Sequence, residues 1–228
     1  MSEHTNIIRI QTVANAFKEL KEQVVFVGGA TVSLYADRPV HDIRPTDDID
    51  VIIEILSYSQ RQLLEERLRE IGFTNDIDSG IICRFKIQGI IVDIMPTDDP
   101  SIGFNNIWYP GGFEHAQNFR LLDGNIIRIL TAPYFIATKL EAFKSRGDGD
   151  GRTSHDFEDI VFVLENRAAL WDEIHQCDDN LKTYLKKEFT KLIENTYIHE
   201  WVDSHVERGV VMPATDSIIK NIKTWISE

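Results

Sequence analysis

The stretch Val24-Val25-Phe26-Val27-Gly28-Gly29 predicts a short buried strand that ends at a pair of glycines. Directly after the pair, the residues from Ala30 to Tyr35 predict the start of a helix. A strand that feeds a helix through such a turn presents backbone amides and the positive end of a helix dipole, which suits a phosphate group. We interpret Gly28 and Gly29 as a phosphate-binding turn, because residues without side chains let a ligand approach the backbone. The alternative is an ordinary turn.

Two aspartates stand at the beginning of the next predicted strand, which runs from Asp48 to Ile55. Side chains alternate along a strand, so Asp48 and Asp50 project from the same face. Mg²⁺ prefers oxygen ligands and is commonly held by one or two carboxylates together with substrate phosphates. The pair therefore predicts a metal site. The alternative is two solvated carboxylates at the edge of a strand.

A third aspartate, Asp93, follows three apolar residues. An ionised side chain in such a run is costly to bury without a partner or a metal. Residues 81–87 and 90–94 flank Gln88-Gly89 and predict a hairpin, whose second strand would bring Asp93 beside the first two acids. Three carboxylates with two metal ions would clamp the attacking and leaving oxygens of a phosphoryl transfer, and Asp93 is the candidate acceptor of the hydroxyl proton.

Helices and strands alternate through the rest of the first half of the chain. The apolar spacing of residues 7–20 predicts an amphipathic helix. A second helix is predicted to begin at a capping box headed by Ser59 and to end at Gly72. Residues 119–122 and 126–130 predict another hairpin. Residues 1–130 are therefore expected to form one catalytic domain of mixed helix and strand.

The pattern changes to helices in residues 131–228, which we expect to form a helical C-terminal region. Helices are predicted from Pro133 to about Ser145 and from about His155 to Leu164, followed by about three more. Residues 147–151 alternate Gly and Asp and predict a flexible loop, which lacks the other ligand positions of a calcium loop. The chain as a whole is predicted to belong to the α+β class.

The first of these helices carries two cations on one face. Lys139, Phe143 and Arg146 lie at i, i+4 and i+7, so both cations could meet a triphosphate. Asp156 and Asp159 share a face of the next helix, where Asp156 could orient Lys139. The alternative is a set of surface ion pairs at a helix beginning favoured by the helix dipole.

Three motifs of the first half together resemble the DNA polymerase beta superfamily of nucleotidyltransferases. They are Phe26-Val27-Gly28-Gly29, Arg44-Pro45-Thr46-Asp47-Asp48-Ile49-Asp50-Val51 and Ile91-Val92-Asp93-Ile94. The Arg and Thr before the acid pair are most similar to the abortive-infection toxins of the AbiEii and AbiGii type. Downstream, Lys139-Leu140-Glu141-Ala142 with Arg146, followed by His155-Asp156-Phe157-Glu158-Asp159-Ile160, resembles the Lys-bearing helix and acid-rich helix beginning of that family. The resemblance covers residues 24–164.

This resemblance implies a minimal nucleotidyltransferase fold, a mixed sheet flanked by helices with a helical C-terminal region. It implies Mg²⁺, or Mn²⁺ in its place, as cofactor and an NTP such as ATP as substrate. The implied catalytic and metal-binding residues are Asp48, Asp50 and Asp93, with Lys139 also catalytic. The implied nucleotide-binding residues are Gly28, Gly29, Lys139, Arg146 and Asp156. The resemblance departs at Asp47, which stands where the family usually has a basic residue. It either weakens triphosphate binding or points to the opposite face of the strand.

The resemblance further implies transfer of an NMP to a hydroxyl of tRNA or protein, by a toxin of a toxin–antitoxin or phage-defence system with an antitoxin as partner. The net charge of −13 opposes a polyanionic acceptor. A small cationic acceptor, such as an aminoglycoside-like antibiotic, is the alternative. A further alternative is a non-catalytic nucleotide-binding or interaction module that kept the fold.

The location of the protein is also predicted from its composition. Cys83 and Cys177 match no metal-ligand or redox spacing and indicate reduced thiols. No apolar stretch approaches the ~18 residues of a membrane span, so no membrane partner is expected. The sequence therefore predicts a cytoplasmic protein.

Overall fold

The computed structural model describes residues 2–38, 43–55, 57–98, 106–146, 149–207 and 214–228. The chain divides into two units, one of residues 1–33 and 41–131 and the other of residues 34–40 and 132–228. Gly147 and Asp148 of the predicted Gly-Asp loop lie outside the described residues.

A seven-stranded sheet forms the centre of the first unit. Its strands are β1 (Val24–Val27), β2 (Asp48–Ile53), β3 (Thr74–Asn75), β4 (Arg84–Ile87), β5 (Ile90–Pro96), β6 (Gln117–Arg120) and β7 (Ile126–Ile129). They lie in the order β3-β4-β5-β2-β1-β7-β6. β2 runs parallel to β5 and antiparallel to β1, so the predicted mixed sheet is confirmed. Both predicted hairpins are also present, as β4 with β5 and β6 with β7.

The helices of the first unit are α1 (Ser2–Phe17), α2 (Tyr58–Glu70) and α3 (Tyr109–Glu114). α1 packs on the sheet through Phe17, whose ring stacks on Phe73 at 4.9 Å between centroids and meets Phe26 edge-on. The predicted capping box at Ser59 is wrong. Ser57 is the N-cap, because its backbone is extended and its hydroxyl accepts a hydrogen bond from the amide of Gln60 at 3.3 Å.

The segment after the glycine pair is a 3-10 helix, Gly29–Tyr35, where the sequence predicts a helix beginning one residue later. The amide and the hydroxyl of Thr31 both donate to the carbonyl oxygen of Gly28, at 3.2 and 2.9 Å. The bond from the Thr31 amide joins residues three apart, which is the hydrogen-bond spacing of a 3-10 helix and one residue shorter than that of an α-helix. A 3-10 helix has poorer hydrogen-bond geometry than an α-helix.

The second unit is helical, as predicted. Its helices are α4 (Ala132–Arg146), α5 (His155–Asn166), α6 (Leu170–Gln176), α7 (Asp179–Glu194), α8 (Ile198–Asp203) and α9 (Ala214–Ser227). Part of its core is an aromatic cluster in which the ring of Trp201 meets Phe143 and Phe157 edge-on. In the part of the chain that the structure describes, no helix is long and apolar enough to cross a membrane.

Candidate active site

The strand register brings the three predicted acids together. Asp50 of β2 lies directly opposite Asp93 of the parallel strand β5. Asp48 stands two residues before Asp50 and so projects from the same face. One carboxylate oxygen from each residue lies within 4.8 Å of the others. The sequence anticipated this cluster, although parallel pairing of β2 with β5 cannot be read from a local pattern.

Gly28 lies against one of these carboxylates. Its φ of +73° falls in the left-handed region, where glycine is favoured. Val27 is the register partner of Asp50 across β1 and β2, so the turn at Gly28 comes directly beside that aspartate. A Cβ atom at Gly28 would stand 2.0 Å from Oδ2 of Asp50, which is closer than any van der Waals contact allows. A side chain at residue 28 would therefore force the carboxylate of Asp50 to move.

A buried asparagine of α1 holds the segment that leads into β2. The side-chain amide of Asn6 donates to the carbonyl oxygen of Arg44 at 3.1 Å, and its Oδ1 accepts the amide of Thr46 at 3.2 Å. The Thr46 hydroxyl donates to the backbone oxygen of Asp48 at 3.1 Å. Asn6 and the hydroxyl of Thr46 thus fix the path of the backbone before the acid pair. Asp47 is exposed and lies just before the first residue of β2.

Arg84 is a residue of the site that the sequence analysis missed. It lies opposite Asp93 across the β4–β5 hairpin. Its Nε donates to Oδ1 of Asp93 at 2.8 Å and one terminal nitrogen donates to Oδ2 at 2.7 Å. The same terminal nitrogen donates to Oδ2 of Asp48 at 3.2 Å. The signal was present, since a two-residue turn at Gln88-Gly89 fixes the register of the hairpin and pairs residue 84 with residue 93.

Burial and charge perturb the acids and their arginine. Burial raises the pKa of Asp48 above its ordinary value; the charge of Asp93 raises it further and that of Arg84 partly offsets both. Hydrogen bonding to Asp93 raises the pKa of Arg84, which keeps its positive charge. Three carboxylates and one guanidinium leave a formal charge of −2. The residues therefore fit a divalent cation in charge, and their oxygen donors suit Mg²⁺ or Mn²⁺.

The charged residues predicted on α4 and α5 form an ion-pair network within the second unit. Nζ of Lys139 lies 3.0 Å from Oδ1 of Asp156 and 2.5 Å from Oδ2 of Asp159. Arg146 binds both oxygens of Asp156, at 2.9 and 3.1 Å. The predicted pairing of Asp156 with Lys139 is therefore present.

The accessibility of the two cations in this network differs. The Lys139 side chain is 7% exposed and that of Arg146 is 53% exposed. Burial alone would lower the pKa of Lys139, but the charges of Asp159 and Asp156 outweigh it, and the pKa lies above its ordinary value. The same burial would raise the pKa of Asp156, which Lys139 and Arg146 bring below its ordinary value. Binding of nucleotide by this network stays a prediction.

Comparison with solved structures finds proteins of similar architecture. The solution structure of the antibiotic-resistance factor ANT(2'')-Ia aligns with 16% identity and a TM-score of 0.52, over 85% of this chain and 97% of that one. A crystal structure of ANT(2")-Ia in complex with adenylyl-2"-tobramycin aligns over 82% and 98% with 16% identity and a TM-score of 0.48. JHP933 from Helicobacter pylori aligns over 98% and 90% with 14% identity and a TM-score of 0.45.

These comparisons establish the fold and no more. The likeness to ANT(2'')-Ia confirms an α+β nucleotidyltransferase fold with a helical C-terminal region. No protein-family model and no curated protein matches the sequence. The more specific similarity to AbiEii-type toxins stays a prediction.

Proposed function

We propose that this chain is a metal-dependent nucleotidyltransferase, which moves an NMP from an NTP to an acceptor hydroxyl and releases pyrophosphate. The convergence of Asp48, Asp50 and Asp93 beside the side-chain-free turn at Gly28 is the observation that supports it most. The fold that the chain shares with ANT(2'')-Ia agrees with this proposal. The three carboxylates supply the oxygen ligands that a divalent metal requires.

Each acid has a distinct place in the proposed reaction. Asp48 and Asp50 would hold Mg²⁺ or Mn²⁺, which supplies charge neutralisation at the triphosphate. Asp93 would accept the proton of the acceptor hydroxyl, because Arg84 fixes its orientation while each carboxylate oxygen retains a further lone pair. The backbone at Gly28 and Gly29 would receive the phosphates.

The ion-pair network of α4 and α5 is proposed to serve nucleotide binding. Of its two cations Arg146 is the more accessible one and would contact the triphosphate. Lys139 would act by holding Asp156, and Asp156 by holding the guanidinium of Arg146. This differs from the simple expectation that both cations meet the phosphates equally.

The acceptor is proposed to be a hydroxyl of tRNA or protein, in the role of a toxin controlled by an antitoxin, as the sequence resemblance implies. A small cationic molecule is a second candidate, favoured by the net charge of −13. Each labelled NTP would be incubated with Mg²⁺ and with tRNA, protein or aminoglycoside pools. Label that moves into one pool identifies the acceptor. Arrest of growth on expression of the wild-type chain alone would support the toxin role.

Substitution of the acids tests the enzyme assignment directly. Asp48→Ala and Asp50→Ala should each abolish transfer without loss of fold, as measured by circular dichroism. Asp47→Ala removes an adjacent, exposed carboxylate and should retain transfer. Full activity in the first two variants would show that the acids are misassigned. Failure of the wild-type chain both to transfer label and to bind NTP with metal would leave a non-catalytic interaction module as the better description.

A further inference from the structure

Arg84 contacts two acids of the site in different ways. It binds Asp93 with two short parallel hydrogen bonds, and both partners are largely buried, with side chains 20% and 13% exposed. It reaches Asp48, whose side chain is 35% exposed, through one bond of 3.2 Å. The paired bonds are the stronger arrangement, because a guanidinium matches a carboxylate in shape. The single longer bond to Asp48 is weaker and should break before the paired bonds to Asp93 do.

We propose that Arg84 is an exchangeable counter-cation of the carboxylate site. In the metal-free protein it takes the place of a divalent ion, and on metal binding it releases Asp48 while it keeps Asp93 in orientation. This inference rests on the proposed function, since it requires that Asp48 and Asp50 bind a metal.

Charge balance gives the physical reason for this exchange. Three carboxylates whose oxygens lie within 4.8 Å repel one another, and one guanidinium neutralises only part of that charge. A divalent ion neutralises more of it, but the ion and the guanidinium repel each other and compete for the oxygen of Asp48. Arg84 should therefore stabilise the metal-free fold and weaken the binding of free metal. A divalent ion that is bound to the negative triphosphate of an NTP is repelled less by Arg84. The metal should therefore bind to the site together with the substrate.

The same strand supplies a matched control. Lys86 stands two residues beyond Arg84 on β4 and projects from the same face. It binds Asp76 at 2.7 Å, which is not among the three acids of the site. Lys86→Met therefore removes one positive charge from the same face without removing a contact to the site. Arg84→Lys keeps the charge at residue 84 but loses the paired bonds.

The experiment measures metal binding and stability of the full chain and needs no activity assay. Chelator-treated proteins would be titrated with Mn²⁺ by calorimetry and unfolded thermally with and without Mn²⁺, at constant ionic strength. Arg84→Met should bind Mn²⁺ about tenfold more tightly than the wild type. It should unfold at a lower temperature than Lys86→Met in chelator and recover more on addition of Mn²⁺. Lys86→Met and Arg84→Lys should bind Mn²⁺ nearly as the wild type does.

The possible outcomes separate this inference from the proposed function. If the wild type binds Mn²⁺ through Asp50, as shown by loss of binding in Asp50→Asn, and Arg84→Met binds no more tightly, the inference is overturned and the proposed function stands. If none of the proteins, Arg84→Met included, binds Mn²⁺, the inference is overturned, and label transfer by the wild type then decides the proposed function. Should Arg84→Met fail to fold, Arg84→Gln decides: tighter binding supports the inference, and equal or weaker binding overturns it.

Discussion

Replacement of Gly28 by alanine tests whether the glycine turn positions the acid behind it. The new Cβ would stand 2.0 Å from Oδ2 of Asp50, whereas ordinary contact begins at 3.4 Å, so the carboxylate must retreat by 3.4 − 2.0 = 1.4 Å. A displacement of about 1 Å at a reacting centre can lower a rate about 100-fold. The left-handed backbone at residue 28 adds about 1–2 kcal/mol of strain for alanine. Transfer should therefore fall about 100-fold while the protein stays folded.

Gly80→Ala is the matched control for this substitution. Gly80 has a φ of +69°, close to that of Gly28, but a Cβ atom there would meet nothing within 4 Å. Both variants thus carry the backbone strain, and only Gly28→Ala disturbs Asp50. The free energy of unfolding from urea titration should fall by about 1–2 kcal/mol in Gly80→Ala and by more in Gly28→Ala, which also displaces Asp50. Initial rates of label transfer should fall only in Gly28→Ala. Equal transfer rates in the two variants would refute the reasoning.

Three further predictions concern the stability of the chain. Lys139→Met leaves Asp156 and Asp159 without their shared lysine and should lower the free energy of unfolding by about 3–5 kcal/mol, as measured by urea titration. Asn6→Ala removes the partner of two backbone groups before β2 and should cost about 1–3 kcal/mol in the same assay. In chelator, the raised pKa of Asp48 means that the folded chain holds this proton more tightly than the unfolded chain. The stabilisation that this proton provides should therefore decline as pH rises above the ordinary pKa of 3.8, and Asp48→Asn should remove this part of the pH dependence of thermal unfolding.

Each of these predictions has a result that contradicts it. Lys144 is on the same helix as Lys139 but is 41% exposed, so Lys144→Met should change stability by no more than about 0.5 kcal/mol. An equal loss of unfolding free energy in Lys139→Met and Lys144→Met would show that the buried ion pairs stabilise the fold no more than the exposed ones do. An Asn6→Ala protein as stable as the wild type would mean that water replaces the lost bonds. A pH profile unchanged by Asp48→Asn would show that another acid causes the decline.

The pair of acids on β2 and the ion-pair network of α4 and α5 could largely be predicted from the sequence, because their spacing follows the side-chain periods of strands and helices. Alternation placed Asp48 and Asp50 on one face, and the 3.6-residue period placed Lys139 and Arg146 where both now bind Asp156. These relations depend only on local geometry. They hold in the structure for that reason.

Other features depend on choices that a local pattern leaves open. The parallel pairing of β2 with β5 joins segments far apart in the chain, and no turn fixes it. Ser57 and Ser59 both suit an N-cap by residue type, and the extended backbone at residue 57 decides between them. The contact of Arg84 with Asp93 is an intermediate case. The hairpin was predicted, and its two-residue turn fixes a register in which Arg84 lies opposite Asp93, so this contact could have been predicted as well.

The central position of β2 in the sheet determines how the site responds when the protein unfolds. β2 is the fourth of seven strands and has β5 on one side and β1 on the other. Fraying begins at sheet edges and chain ends, so the amides of Val51 and Ile52, which have strand partners on both sides, should exchange with deuterium only when the first unit opens as a whole. Denaturant should therefore abolish transfer and the fold of this unit at the same concentration, and a partly unfolded chain should carry no residual activity.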